Sequence, residues 1–514
     1  MLGLGTPMLK DAHDGGARAG TLDLPQSELE ELGRAFARLA LEYLSEPEAL
    51  PVFPETSAEK LSGLFGGGLP AEGLGLEALT RACAEVFRQS RQNGHPRMFG
   101  YVASPATPVG AWASLAAAAL NSNVTSWRSA PGPTQIEQTA VRWLAELIGF
   151  KGEGLNETCG GLLTSGGSMA NLNALFVAHR TQAHDASRRG LWGERAPATL
   201  YASDQIHLSI PKAADILGLG REQVRVVPSD EEFRIDVRAL RERIESDVRA
   251  GLRPFCVVAS AGTVSTGAVD PLKEVARVAR DNSLWFHVDG AYGALAASTN
   301  AKRALFEGLE EADSVSLDPH KWLYTPLGCG CLLFREPERA RAAFKGTEEG
   351  YIKVFEREEA EAFAFWDYGT ELSRPFRALK VWATLSFYGV KRVSAAIEED
   401  CATAAYMAER VRAAGDFELL APATLGICCF RYVPAAARLE LEDEGQREET
   451  NARLDRLNER VMQRVQRGGE AYVSNASLRG RFALRASITN YRTTRRDIDL
   501  TLEVIRRTAG ELEG

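Results

Sequence analysis

A chain of 514 residues with 45% hydrophobic and 25% charged residues has the make-up of a folded globular protein, and it is too long for one compact core. A net charge of -9 argues against a nucleic-acid partner, because phosphate binding needs a basic face, and no apolar run reaches the roughly 18 residues of a membrane span. The eight cysteines (83, 159, 256, 329, 331, 401, 428 and 429) form no CxxC pair, so no metal site is expected, and they read as reduced thiols of a cytoplasmic protein.

Residues 1–20 are Gly-rich and lack the basic-then-apolar pattern of a secretory signal. Ser27 to Glu30 has the S-x-x-E form of a capping box and predicts a helix to about Leu44. A Pro- and Gly-rich stretch follows to about Gly75, then a second helix over Leu76 to Gln92. Residues 1–94 therefore read as a helical arm that needs another surface to lie on. The alanine-rich run Ala111 to Leu120 predicts a buried helix.

From about Gly94, short apolar runs alternate with helical segments, the pattern of a parallel sheet with crossover helices. Strands are predicted at Phe255–Ser260, Leu284–Val288, Ser314–Leu317 and Cys329–Phe334, with a helix over Pro271 to Arg280. Beyond about Thr384, helices at Val390–Ala414 and Gln446–Arg467 accompany strands at Ile427–Tyr432 and Phe482–Ile488. The charged run Arg438 to Glu449 reads as a solvated helix or loop. The expected organisation is an arm (1–94), a large α/β domain (95–384) and a small C-terminal α+β domain (385–514).

Polar residues recur where these strands end, the edge at which open α/β sheets bind ligands. Lys321 follows one strand among apolar neighbours, and desolvation frees a lysine amine for Schiff-base chemistry. Asp289 ends another; it is either a helix cap or a carboxylate for a pyridine nitrogen. The turn Thr164 to Asn171 precedes an apolar helical stretch and is either a plain cap or a site for a single phosphate. It matches neither a Walker loop nor a dinucleotide fingerprint. His207 is either a core residue or a flat group for stacking and proton transfer.

Taken in order, HPRMFGY (95–101), SWRSAPGPTQIE (126–137), TSGGSMAN (164–171), SDQIH (203–207), AGTVSTGAVD (261–270), HVDGAYG (287–293), DPHKWL (318–323), SRPFRALKVW (373–382) and LRASITNYRTT (484–494) resemble the group II pyridoxal-phosphate (PLP) dependent amino-acid decarboxylases. The resemblance covers roughly residues 25–510. It implies fold type I, the aspartate-aminotransferase-like PLP-dependent transferase architecture: a large domain with a mostly parallel, seven-stranded type of sheet and a small C-terminal α+β domain. It implies a homodimer with shared active sites, acting on a small amino-acid substrate. By resemblance Lys321 is the Schiff-base lysine, Asp289 the pyridine-nitrogen partner and His207 the stacking histidine. Gly167, Ser168 and His320 fall at the phosphate, and Thr263 and Ala291 at the ring or its oxygen. Tyr351 resembles a loop tyrosine that delivers a proton.

Three departures bear on the substrate. Met169 replaces an acidic residue of several relatives, and Pro375 an arginine of the aromatic branch. The Asn-Gln pair of the glutamate enzymes is missing after His95-Pro96. The missing pair weakens a glutamate assignment, and the stretch YGTELSRPFRALKVW is closer to the aromatic branch despite Pro375, so the resemblance points to an aromatic L-amino acid. The alternatives are an acidic substrate, or aldehyde synthesis or transamination on the same fold.

Overall fold

A computed structural model of the protein describes residues 22–152, 160–183, 189–193, 196–344 and 359–513. They form two units, one of residues up to 46 with 58–89, the other of 47–57 with 90–513.

The first unit holds helices Gln26–Ser45, Ala58–Phe65 and Leu76–Arg88. None of the three buries a residue, and Leu29, Phe36, Leu41, Leu74 and Val86 lie exposed. The predicted capping box does not form: Pro25 stands at the cap and makes no side-chain bond, which puts Ser27 inside the first turn. Helix Ala58–Phe65 lies in the Pro- and Gly-rich stretch, where no helix is predicted, and the third helix stops at Arg88, short of Gln92.

The second unit contains all the strands. In chain order they are β1 (Met98–Phe99), β2 (Gly161–Thr164), β3 (Ala198–Ser203), β4 (Val224–Val227), β5 (Arg253–Ser260), β6 (Trp285–Asp289), β7 (Ser314–Leu317), β8 (Gly330–Phe334), β9 (Phe417–Leu419), β10 (Ile427–Tyr432), β11 (Tyr472–Leu478) and β12 (Arg481–Ser487). A seven-stranded sheet has the order β2-β8-β7-β6-β5-β3-β4. β4, β3, β5, β6 and β7 are mutually parallel, and β8 runs antiparallel to both β7 and β2. The runs FCVVAS, WFHVD, SVSL and GCLLF are buried throughout. Continuous burial is what covering both faces of a parallel sheet demands, and it explains why these segments are apolar without alternation. Helix Gly167–Gln182 packs on β2 and on β5 to β8.

A five-stranded sheet, β1-β11-β12-β10-β9, is antiparallel except where β1 pairs with β11. It has its own core, including Phe417, Phe430, Val461, Leu484 and Ile505. Helices Arg447–Gly468 and Arg495–Glu513 pack on it. Helix Ala378–Ala413 breaks at Gly389, where φ is 72° and ψ 160°, a left-handed φ that glycine adopts without strain. The run predicted as a buried helix is Pro108–Leu120, but only Gly110 and Ala113 are buried, and Leu115 and Leu120 stand exposed. One face packs on helix Ala378–Ala413, while Leu115, Ala116 and Ala118 to Leu120 are exposed.

Candidate active site

β3, β5, β6 and β7 are parallel, so Ser203, Ser260, Asp289 and Leu317 end at one sheet edge. β2 ends there too, because it opposes β8, which opposes β7. At this edge lies a cavity of about 950 Å³. Its wall includes Gly167, Ser168, His207, Asp289, Ala291, His320 and Lys321. Residues far apart in sequence converge because each follows its own strand. Thr263 does not reach the wall. Its hydroxyl is held by Thr266 Oγ1 at 2.9 Å and by the Ala268 N–H at 3.1 Å, while its neighbours Gly262 and Val264 line the cavity. Tyr351 lies outside the described residues.

Lys321 sits in the short helix Pro319–Trp322, its Nζ 3.0 Å from Asp318 Oδ2. The residues after it are anchored. The Trp322 indole and the Tyr324 hydroxyl both donate to Asp400 Oδ2, at 3.0 and 2.7 Å. Burial pushes Asp400 up to about 7. The Trp322 ring stacks on Tyr292 at 4.7 Å, which ties the lysine segment to the DGAYG segment.

Asp289 is 7% exposed and accepts three hydrogen bonds. Asn171 Nδ2 reaches Oδ2 at 2.9 Å, and the Ala291 N–H and Ser316 hydroxyl reach Oδ1 at 3.2 and 3.3 Å. His207 Nδ1 lies 2.8 Å from Ser209 Oγ, and burial lowers its pKa from the usual 6.5. His320 Nδ1 donates to the Cys329 carbonyl at 2.7 Å, and burial lowers its pKa too.

The turn is shaped by close packing. A Cβ on Gly167 would stand 2.8 Å from Ala291 Cβ and 3.0 Å from Asp318 Oδ2, so the helix start approaches β6 and β7 as only glycine allows. Ser165 to Met169 border the cavity, which places the N-terminal end of a 16-residue helix against it. Such an end favours an anion.

Sequence reading does not single out Arg485, Asp318 or Asn171. Arg485, on β12, is 4% exposed and borders the cavity. Its Nε donates to the Ser265 carbonyl at 3.1 Å and Nη1 to the Tyr101 carbonyl at 2.9 Å; Nη2 is buried without a partner among the described residues. Asp318 Oδ1 is likewise buried and unpartnered. The only local sign of Arg485 is a cation within the buried part of a strand, Ala483 to Ser487.

An amine, a hydrogen-bonded carboxylate and a glycine turn at a helix start, all on one cavity, fit a phosphorylated pyridine aldehyde. Comparison with known proteins agrees. The family model for the pyridoxal-dependent decarboxylase conserved domain matches residues 59–433. This chain belongs to that family. The decarboxylase is 34% identical over 474 residues to an aromatic-L-amino-acid decarboxylase of Bacillus atrophaeus, covering 92% of this chain and 94% of the relative. It is 29% identical over 492 residues to tryptophan decarboxylase 1 of Oryza sativa subsp. japonica, covering 93% and 94%. The crystal structure of Oryza sativa TDC with PLP and tryptamine superposes with a TM-score of 0.87 at 27% identity, over 96% of this chain and 100% of that one. The decarboxylase is therefore a PLP-dependent amino-acid decarboxylase of fold type I.

Proposed function

We propose that the enzyme releases carbon dioxide from an aromatic L-amino acid and yields the corresponding amine. The observation that carries this reading is the convergence of Lys321, Asp289, His207 and the Gly167 turn on one cavity. When bound, PLP supplies an electron sink for the pair left as carbon dioxide departs. Lys321 would hold the cofactor covalently, with Asp289 as the partner of its ring nitrogen and His207 against its ring. Gly167, Ser168 and His320 take the phosphate. Ala291, packed beside Gly167, would leave room for a flat ring, and Thr263 holds the shape of the turn whose Gly262 and Val264 line the cavity.

The free Nη2 of Arg485 suits a substrate carboxylate, since a buried guanidinium arm gains most from an ionised acceptor. Val102, Val264, Leu327 and the ring of Tyr101 give the wall an apolar part that suits an aromatic side chain. The names of the Bacillus and Oryza relatives support the same substrate class. After carbon dioxide leaves, Cα needs a proton, and the candidate donors are His207 and Tyr351.

The enzyme is read as a homodimer. The first unit's helices bury nothing of their own, and an amphipathic helix is stabilised mainly by covering its apolar face, which a second copy can do. The seven described cysteines are free, which suits a reducing cytoplasm. Among the described residues no helix is long and apolar enough to cross a membrane.

The test is release of carbon dioxide from each common L-amino acid by the PLP-loaded enzyme. Fastest release from tryptophan, tyrosine or phenylalanine is expected. Release from glutamate alone would overturn the substrate class, and no release from any would overturn the reading. Sedimentation showing a stable, active monomer would remove the dimer.

A further inference from the structure

From the core up to the cavity wall, a file of polar side chains runs through β6, β7 and helix Gly167–Gln182 to Ser209 and His207. The Trp285 indole N–H lies 2.9 Å from Ser314 Oγ, which lies 2.9 Å from His287 Nδ1. His287 Nε2 lies 3.0 Å from Asn171 Oδ1. Asn171 Nδ2 lies 2.9 Å from both Asp289 Oδ2 and Ser209 Oγ. Ser209 Oγ then lies 2.8 Å from His207 Nδ1.

Each direction follows from chemistry. An indole N–H only donates, so Ser314 Oγ accepts from Trp285 and keeps its own proton free to turn to His287 Nδ1. Burial pushes His287 down to about 4, so the ring is neutral. The Asp289 carboxylate takes the Asn171 amide nitrogen, which leaves Asn171 Oδ1, an acceptor only, facing His287, so the ring's one proton sits on Nε2. The carboxamide nitrogen has two protons, and they meet the two remaining neighbours, Asp289 and Ser209. The reverse orientation would set an amide oxygen against a carboxylate. At the far end the Ser209 backbone N–H, also only a donor, lies 3.2 Å from His207 Nδ1. Nδ1 therefore accepts, and neutral His207 carries its proton on Nε2. The Asp289 carboxylate and the Ser209 N–H impose one polarity, and each contact in the file pairs a donor with an acceptor.

We propose that Asn171 is a positioning residue: its carboxamide locks Asp289 and His207 into one hydrogen-bonded file of fixed polarity, so that His207 presents Nε2–H as its donor atom. The inference rests on Asp289 and His207 facing the cofactor. The file itself is a property of the protein and can be read whatever the substrate proves to be. Asn171 touches neither substrate nor reacting atoms in this account; it acts through the two side chains it holds.

The experiment uses holoenzyme labelled with 15N in histidine. The chain has only seven histidines, and nitrogen shifts separate the two neutral tautomers. Signals are assigned by their loss in His207→Gln and His287→Gln. In the wild type, His287 and His207 are expected as neutral Nε2–H tautomers from pH 6 to 8, whereas His320, which donates from Nδ1, is expected as the opposite one. Asn171→Asp keeps the volume but cannot supply both donors. It should scramble the His207 tautomer and lower kcat by about tenfold or more, the effect of losing a buried hydrogen bond to a charged group, with a smaller change in KM. A purely structural role would lower the melting temperature and leave the His207 tautomer as it was, which would overturn the proposal. The wild-type spectrum is decisive even if the variant does not fold: an Nδ1–H signal for His287, or its titration between pH 6 and 8, means that the polarity is wrong.

Discussion

Gly167→Ala tests the geometry of the anion turn. The new Cβ would lie 2.8 Å from Ala291 Cβ. Carbon atoms pack at about 3.5–4.0 Å, so the deficit is roughly 1 Å. The added methyl is Cβ itself, so no rotamer relieves it. The second neighbour, Asp318 Oδ2 at 3.0 Å, is itself held 3.0 Å from Lys321 Nζ. The helix start must therefore move away from β6 and β7. Overpacking of this kind costs about 1–3 kcal/mol. If the strain falls on the loaded form, cofactor affinity drops by roughly 5- to 150-fold, at about 1.4 kcal/mol per tenfold. Equilibrium dialysis of PLP measures this, alongside the melting temperature of the cofactor-free protein. Gly132→Ala is the control, since nothing lies within 4 Å of its added Cβ. Unchanged affinity and melting temperature in Gly167→Ala would refute the argument that this turn is close-packed against the cofactor pocket.

Asp289→Asn should keep PLP on Lys321 yet lose about a hundredfold in kcat, roughly 3 kcal/mol for one charge-assisted hydrogen bond in the transition state. Turnover close to wild type would reduce Asp289 to a cap at the end of β6. Asp400→Asn should change how stability depends on pH. The folded pKa of Asp400 is pushed up to about 7 from an ordinary 3.8, so between about pH 4 and 7 the folded state holds a proton that the unfolded state has lost. This group's contribution therefore falls as pH rises through that window and is flat above it. The melting temperature of Asp400→Asn relative to wild type should climb from pH 4.5 to 7, and a pH-independent difference would rule the effect out.

Much of the site was legible because its residues sit at strand ends. The run LWFHV stops at Asp289 and SVSL stops before Asp318, and the observed strands, Trp285–Asp289 and Ser314–Leu317, agree to within a residue. Such apolar runs are hard to place anywhere but in a doubly covered sheet. What escaped the sequence depends on distant contacts. Asn171 and Asp289 are 118 positions apart, and nothing local in GGSMAN says that the asparagine serves a carboxylate rather than a helix cap. Met98–Phe99 has too few residues to announce a strand, and its partner, Tyr472–Val473, lies in the C-terminal sheet. Arg485 reaches the cavity only because β11 and β12 border it. The errors have local causes. S-x-x-E at Ser27 is a frequent pattern, and here Pro25 sets the helix start instead. The alanine-rich Pro108–Leu120 helix looked buried by composition, yet Leu115 and Leu120 are each 60% exposed.

The central claim is that Lys321 carries the cofactor. Borohydride reduction of the PLP-loaded enzyme fixes the cofactor to whichever amine holds it, and peptide mass mapping then names the residue. The account predicts one adduct, on Lys321 in the peptide containing Asp318-Pro319-His320, and none at that peptide in Lys321→Ala. An adduct on another lysine, such as the buried Lys380, with Lys321 unmodified in active enzyme, would contradict it.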